Sequence, residues 1–127
     1  MRELTSHKVN GLNEDLQIVV CDEPGSGNAC HEYAVNYCLN PGTAEGGTNH
    51  MVAIKFQNGP VKEAGINGIS NEALLAIVED RLSGFQSGPF ACRENAVALT
   101  KLQESMMWLQ KRTRDRMARG VEGTLRK

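Results

Sequence analysis

Residues 88–124, which read GPFACRENAVALTKLQESMMWLQKRTRDRMARGVEGT, decide how we expect this chain to fold. Pro89 is tolerated in a first helical turn, and no other proline or glycine follows until Gly120. The stretch therefore predicts one helix from about Ala91 to Arg119, which would be about 43 Å long. Because an average globular helix is shorter, we expect this one to pack along a second copy of the chain or a long neighbour.

An apolar stripe runs along this predicted helix. Its members recur at steps of three and four residues, the spacing of one helix packed along another: Leu99, Leu102, Met106 and Leu109. The same spacing extends back to Cys92 and Asn95 and forward to Thr113 and Arg116, so the stripe turns polar towards both ends. On physical grounds alone, an asparagine in such a stripe is most simply a device that fixes the register of helix pairing.

Cations are concentrated near the end of the same helix, at Lys111, Arg112, Arg114, Arg116 and Arg119. Cations at this position stabilise the helix dipole, but five of them exceed what that effect requires. Residues 101–127 carry eight Lys or Arg and three Asp or Glu, whereas the whole chain has a formal net charge of −1. This asymmetry predicts an anionic partner for the C-terminal segment.

Length and composition indicate an ordinary globular protein. The 127 residues predict a single domain with a β-rich part at 1–69, a helical part at 70–119 and a basic tail at 120–127. The chain is 40% hydrophobic and 23% charged, and it lacks a long apolar run, so we expect a cytoplasmic location. The cysteines form no C-x-x-C pair, and we interpret them as reduced core or loop residues: Cys21, Cys30, Cys38 and Cys92.

Short strands separated by turns are predicted in the first half of the chain. Alternating and β-branched residues indicate three strands, with glycine-rich loops at 22–29 and 40–49 between them: 16–21, 31–39 and 51–56. The Asn58-Gly59 pair is a turn signal, so residues 60–64 are expected to return as the second strand of a hairpin.

Ser70 is a suitable N-cap for an amphipathic helix of about four turns that ends near Phe85. The chain is therefore predicted to be an α+β protein. A small antiparallel β-sheet at the N-terminus should precede two C-terminal helices, of which the second is long and forms oligomers. Phe85 closes the apolar stripe of the first helix, where its ordinary role is in the core, but an exposed ring there could stack on a base.

No group of residues suggests catalysis. The three histidines, His7, His31 and His50, lie in separate segments, and adjacent acidic residues on a strand or helix point apart. We therefore predict no enzymatic activity, no catalytic residue, no metal site and no cofactor. Binding is favoured over turnover.

Three stretches of the chain resemble the phage Thoeris anti-defence sponge proteins: FQNGPVKEAGING (56–68), DRLSGFQSGPFACREN (80–95) and MMWLQKRTRDRMARGVEGT (106–124). The C-terminal stretch is also similar to the shorter, all-helical anti-CBASS sponge family. The first resemblance implies a protein that binds and sequesters glycocyclic ADP-ribose, the signal made from NAD by TIR-domain enzymes, without degrading it. It also implies a homo-oligomer, either a dimer or a hexamer, that acts in the host cytoplasm during phage infection.

Site residues follow from the same resemblance. In the first site, Phe85 would stack on the adenine, Asn95 would hydrogen-bond the base or sugar, and Arg112 and Arg116 would hold the diphosphate, with the site lying across a subunit boundary. Some family members bind cyclic oligonucleotides of the CBASS system, such as cyclic trinucleotides, at a second site. That site would use the tail residues Arg119, Gly120, Gly123 and Thr124.

Two other functions remain open at this point. A small nucleic-acid-binding or regulatory module would use the basic helix end on phosphate backbones, and its affinity for long DNA or RNA would fall steeply with salt. An assembly protein would use the long helix only to oligomerise, and it would bind no small molecule. The resemblance favours cyclic nucleotide signals as partners, and neither long nucleic acid nor a membrane.

Overall fold

The computed structural model describes residues 1–127. The chain divides into two compact units. The first, the sheet unit, comprises Met1–Gly59 and Ile66–Gly68, and the second, the helical unit, comprises Pro60–Gly65 and Ile69–Lys127. Strands precede the two main helices along the chain, so the predicted α+β class is confirmed. The single-domain organisation stays a prediction.

The sheet unit contains four antiparallel strands in sequential order. They are β1 (Arg2–Leu4), β2 (Gln17–Val20), β3 (Glu32–Leu39) and β4 (Thr48–Lys55). A short helix, α1 (Gly11–Asp15), connects β1 to β2, and a single 3₁₀ turn at Ser26–Asn28 lies between β2 and β3. The three predicted strands are confirmed, although β4 begins three residues earlier than expected. Strand β1 and helix α1 were not predicted, because segments this short carry little periodicity.

One face of the sheet carries the most buried side chain of this unit, and Ala34, which is 7% exposed, is buried on the other face. Val20, which is only 1% exposed, pairs with Tyr33 across β2 and β3, and Tyr33 pairs with Ile54 across β3 and β4. The ring of Phe56 meets that of Tyr33 edge to face, with 5.7 Å between the centroids. The alternation in β3 places Tyr33 on this apolar face, but burial along the strand does not alternate, because Ala34 on the opposite face is its most buried residue.

The prediction that residues 60–64 form a return strand is wrong. Val61–Ala64 forms one helical turn, α2, which begins after Pro60 and ends at Gly65 with φ 72°. Proline has no N–H to donate to a strand ladder, and its fixed φ suits the start of a helix. Hydrogen bonds from the Asn58 N–H to Asn67 Oδ1 and from Asn67 Nδ2 to the Asn58 carbonyl, both 2.7 Å, close the segment instead of strand pairing.

Two long helices dominate the helical unit. The first, α3 (Asn71–Gln86), begins as predicted at Ser70, whose Oγ accepts a hydrogen bond from the Ala73 N–H at 3.1 Å. The second, α4 (Arg93–Ala118), is 26 residues long, and Gly120, where φ is 71°, follows its C-cap residue Arg119. Its start was predicted two residues too early, because the side chain of Gln86 binds the Cys92 N–H at 3.0 Å and keeps the linker in a tight turn.

The apolar stripe of α4 is half-buried, and α3 is the helix that packs along α4. The stripe therefore has a neighbour within the chain, and the expected second copy is untested. Several large apolar side chains lie outside the stripe and are exposed, among them Ile77, Phe90, Met107 and Trp108. None of the helices is both long enough and apolar enough to span a lipid bilayer.

Candidate functional site

A cationic depression of about 470 Å³ lies at the C-terminal end of α4. We call it the basic depression, and its lining residues are Trp108, Lys111, Arg112, Asp115, Arg116, Arg119 and Lys127. The one acid among them is already neutralised, because the Asp115 carboxylate lies 2.6 Å from the Lys111 ammonium. The depression therefore keeps a clear excess of positive charge, which suits an anionic ligand.

Helix geometry explains why these side chains meet. Trp108, Arg112, Asp115 and Arg119 follow one another at steps of four, three and four residues, so they lie along one face of α4. The Lys111–Asp115 pair is an exposed i,i+4 ion pair, which stabilises a helix by a few tenths of a kcal/mol. A continuous helix thus presents an aromatic ring and successive cations on a rigid support.

Arg116 differs from its neighbours because its guanidinium is buried, with 7% of the residue exposed. Its Nε donates to the Glu122 carboxylate at 3.1 Å, and its Nη2 donates to the carbonyls of Val121 and Thr124 at 2.9 and 3.0 Å. Its Nη1 donates to the carbonyl of Arg126. Arg116 therefore fastens the tail to the end of α4, and most of its donors are already used.

The tail folds back beneath this guanidinium. Val121 is 5% exposed, and its N–H donates to the Arg116 carbonyl at 3.0 Å. Gly123 adopts φ 78°, a conformation that favours glycine, and its carbonyl accepts a hydrogen bond from the Lys62 N–H at 3.2 Å. A side chain at Gly123 would also crowd Lys62, since an added Cβ would lie 3.3 Å from Lys62 Cγ. The tail is thus an ordered cap on the helical unit.

The residues expected to form a second site are divided by this arrangement. Arg119 is exposed and lines the basic depression. Gly120 follows the C-cap residue of α4, while Gly123 and Thr124 lie within the folded tail and are not among the lining residues. The Thr124 N–H donates to the Val121 carbonyl at 3.2 Å, and its hydroxyl donates to the same carbonyl. Their assignment to a ligand stays a prediction.

Phe85 and Asn95 lie at the opposite end of the pair of helices. The half-buried ring of Phe85 packs edge to face against Phe90, with 6.4 Å between the centroids, and the Arg81 guanidinium carbon lies 5.1 Å from the Phe85 centroid. Asn95 is half-buried at the first turn of α4, where its N–H donates to Cys92 Sγ. A ring and an amide therefore lie beside the α3–α4 linker.

Distance separates the two halves of the expected first site. At about 1.5 Å rise per residue, Asn95 and Arg112 lie about 26 Å apart along the axis of α4. One small ligand cannot reach both positions within one chain. The structure brings Arg112 together with Arg116 and Arg119, but not with Phe85 and Asn95.

Trp108, Lys111 and Lys127 were not among the residues selected from the sequence for either site. Trp108 lies one helical turn before Arg112, and 71% of it is exposed. A large apolar residue within a basic segment, outside the apolar stripe, is the sequence signal that could have indicated it. Lys127 gives no comparable signal, because only the folded tail brings it to the depression.

In the sheet unit, the polar groups around His31 hold a loop together. The Asp22 carboxylate accepts hydrogen bonds from the His31 N–H, with its two oxygens at 2.9 and 3.2 Å, and from the Glu32 N–H at 3.1 Å. The bond from the His31 N–H is the main reason why the pKa of Asp22 lies below its ordinary value of 3.8. His31 itself is buried, and its Nε2 lies 3.0 Å from the Ser26 carbonyl. These contacts are structural.

The fold and the site together define a class of protein: a small sheet followed by a helical hairpin, whose long helix carries a cationic, aromatic-walled depression. Residues 48–114, which are more than half of the chain, match the family model described as "Acb2/Tad1, hairpin domain". The chain belongs to the Acb2/Tad1 hairpin-domain family. The match contains Phe85, Asn95 and Arg112, and it ends before Arg116 and the tail.

A curated relative supports the same family. It is named "Thoeris anti-defense 1", comes from Bacillus phage SBSphiJ7, and is 57% identical to this chain over 74 residues. The matched stretch covers 58% of this chain and 52% of the relative, so the chain spans about half the length of the curated relative that it matches.

Proposed function

We propose that this chain is a phage anti-defence sponge, which binds a cyclic nucleotide immune signal and holds it without degrading it. The signal we propose first is glycocyclic ADP-ribose, made by Thoeris TIR enzymes, in the cytoplasm of the infected host. One observation carries the proposal: a member of this family presents a row of cations on a rigid helix beside an aromatic ring. The name of the 57% identical relative points to the same role.

The proposed first site combines two copies of the chain. Phe85 and Asn95 of one copy would hold the base and sugar, and Arg112 of an antiparallel second copy would hold the phosphates. We propose two copies because Asn95 and Arg112 lie about 26 Å apart along α4 of one chain. When two α4 helices pack antiparallel, the start of one lies beside the end of the other, so Asn95 of one copy can lie near Arg112 of the second copy. We therefore propose a homo-oligomer, a dimer or a dimer-built hexamer, in which assembly completes the site.

Arg116 has few hydrogen-bond donors left for a ligand in the first site. Four of its N–H groups already donate to Glu122 and the tail carbonyls. An arginine has five, so only one N–H is left for a phosphate unless the tail moves. Arg112, which is exposed, is consequently the main phosphate ligand, and Arg116 contributes mainly charge.

The proposed second site takes cyclic oligonucleotides of the CBASS type at the end of α4. Arg119 would contact a phosphate directly, because it lines the basic depression. The folded tail that contains Gly120, Gly123 and Thr124 would act as the support of this site.

Release of intact ligand is the direct test of the sponge function. The protein is incubated with glycocyclic ADP-ribose, filtered to remove free ligand, heat-denatured, and the released compound is identified by mass spectrometry. We expect intact signal in stoichiometric amount, since sequestration requires a dissociation constant of about a nanomolar, or about −12 kcal/mol. Hydrolysed products in excess of the protein would indicate an enzyme, and absence of binding would contradict the proposal.

A mixing experiment tests the two-chain site. Phe85→Ala and Arg112→Ala each remove one half of every site, so neither homodimer should bind glycocyclic ADP-ribose well. Co-refolding the two variants should recover about a quarter of the wild-type capacity, because half of the random dimers are mixed and each has one intact site. Arg114→Ala, which removes an exposed cation outside the depression, is the control. No recovery in the mixture would argue for a site within one chain.

A further inference from the structure

Strand β4 leaves one edge of the sheet open. It stands last in the strand order, so β3 is its only strand neighbour. Every residue of Thr48–Lys55 is exposed except Ile54, which is half-buried. Met51 and Val52, which point to opposite faces of the sheet, are 62% and 48% exposed. An open strand with apolar side chains on both faces favours pairing with another chain.

This edge lacks the features that usually protect an edge strand. The strand is eight residues long, contains neither proline nor glycine, and pairs with β3 residue for residue without a bulge. Apart from His50, its one ionisable side chain is Lys55, which lies at the end and forms an ion pair with Glu32 at 3.6 Å. The opposite edge, β1, is only three residues long and offers a poor template. A partner strand is therefore expected at β4.

Hydrogen bonds to β3 show which backbone groups of β4 point away from the sheet. The Phe56 N–H, directly after the strand, donates to the His31 carbonyl at 2.7 Å. Bonded residues alternate along an antiparallel ladder, so every second residue before Phe56 bonds to β3 as well. The groups that point outwards are those of Asn49, Met51, Ala53 and Lys55. Each of these residues offers one N–H and one carbonyl to a strand outside the sheet.

A second copy of β4 is complementary to this edge. In an antiparallel pair the outward residues face one another, and the register centred on Val52 achieves this along the whole strand, with about eight main-chain hydrogen bonds. Met51 then lies opposite Ala53 of the second copy. Asn49 lies opposite Lys55 in the same way, and the two Val52 side chains meet at the two-fold axis. Like charges do not face each other, because the two Lys55 residues lie about 20 Å apart along the strands.

We propose that β4 pairs antiparallel with β4 of a second copy about a two-fold axis at Val52, which joins two four-stranded sheets into one. An isologous contact uses the open edge of both copies, so the sheet does not grow into a fibre at this edge. The contact belongs to the sheet unit and needs no ligand. It is therefore an addition to the helix contacts of the proposed signal site, and it gives the sheet unit a role in assembly.

A cysteine at the axis tests the register. The two Val52 residues would form a non-hydrogen-bonded pair with Cα atoms about 4.5 Å apart, a distance that a disulfide spans. Val52→Cys should therefore give mainly covalent dimer on mild oxidation. Asn49→Cys, exposed on the same strand, would lie about 20 Å from its counterpart and should give at least about tenfold less dimer. Wild-type protein, with its four free cysteines, sets the background.

Hydrogen exchange measures the same pairing without a cross-link. At about millimolar protein, the outward amides of Met51 and Ala53 should exchange at least about 100-fold more slowly than free amides, because they bond to the second copy. Val52→Lys places like charges opposite each other at the axis and should remove most of this protection, and Val52→Glu should do the same. An equal mixture of the two variants should restore it, because opposite charges then meet.

The fold is checked in the same spectra. Val52 is 48% exposed, so a charged side chain there can reach water, and the amide of residue 52 bonds to β3 and should stay protected in every variant. Free exchange of the Met51 and Ala53 amides in the wild type would refute the pairing. Protection that is insensitive to Val52→Lys, with no cross-link in Val52→Cys, would show that something other than a second β4 covers the edge, which also refutes it.

Discussion

Replacing Arg116 by methionine is expected to release the C-terminal tail from the end of α4. Methionine fills the space of the arginine stem but cannot donate a hydrogen bond. The substitution therefore removes the four contacts of the guanidinium, with Glu122 and with the carbonyls of Val121, Thr124 and Arg126. The backbone carbonyl of residue 116, which accepts from the Val121 N–H, is retained.

The structure limits how large the effect can be. The Glu122 side chain is 42% exposed and regains water, and the Val121 carbonyl keeps its hydrogen bonds from Thr124. At a net value of about 0.5–1.5 kcal/mol per hydrogen bond, the loss should amount to about 2–4 kcal/mol in the free energy of opening the tail. Opening should then be roughly 30 to 1,000 times more frequent.

Hydrogen exchange at the Val121 amide measures this opening, because that amide is protected only while the tail is docked. Arg114→Met has the same change of charge at an exposed position two residues away and serves as the control. Arg116→Lys should fall between the two, since lysine keeps the charge without the planar fork. Unchanged Val121 exchange in Arg116→Met would refute the conclusion that this guanidinium fastens the tail.

Two further predictions concern the sheet unit. Gly68→Ala places a Cβ 2.5 Å from the Phe56 carbonyl oxygen, and it should lower the free energy of unfolding by about 1–3 kcal/mol in a denaturant melt. Gly42→Ala has open space around the added Cβ and should change that free energy little. Asp22→Asn should lower the melting temperature at neutral pH and remove part of its acid sensitivity. Because the pKa of Asp22 is lowered in the folded protein, its carboxylate stabilises the fold at pH values above 3.8, the ordinary pKa of this group. This stabilisation is lost as the pH falls from 3.8 through the lowered pKa. Equal melting of Gly68→Ala and Gly42→Ala, or an unaltered pH profile in Asp22→Asn, would contradict these assignments.

Much of the fold could be predicted because its signals are local and redundant. Ser70 and Gly120 mark the start of α3 and the end of α4 by backbone chemistry that acts within one turn. The alternation in 31–39 predicted β3 within one residue, because residues two apart on a strand share a face. The start of α4 was predicted less accurately, because the side chain of Gln86 binds the Cys92 N–H and fixes the linker before the helix.

The wrong return strand at 60–64 has a specific cause. A turn signal such as Asn58-Gly59 indicates that the chain reverses, but it does not say whether a strand or a helix follows. Here the pair of hydrogen bonds between Asn58 and Asn67 closes the segment, so Val61–Ala64 need not pair with β4. Such side-chain contacts depend on two residues nine positions apart and leave no periodic trace in the sequence.

For the site, sequence patterns identified the basic end of α4 but not how its arginines are used. Arg112, Arg116 and Arg119 are chemically alike in the sequence, whereas in the fold two are exposed and one is buried beneath the tail. Burial of Arg116 follows from the left-handed conformations at Gly120 and Gly123, which turn the tail back onto the helix. The division of roles is thus decided by the path of the tail.

The hydrogen bonds of Arg116 connect ligand binding to the order of the tail. If a phosphate takes a bidentate contact from this guanidinium, at least one contact with the tail must be given up, because only one N–H is unused. Val121 and Thr124 would then lose part of their support, and the binding energy would be reduced by the cost of loosening the tail. A phosphate held by Arg112 in the first site, or by Arg119 in the second, avoids that cost, since both guanidiniums are already exposed. The geometry of one chain therefore favours ligands that bind across the surface of the basic depression and leave the Arg116 contacts beneath it intact.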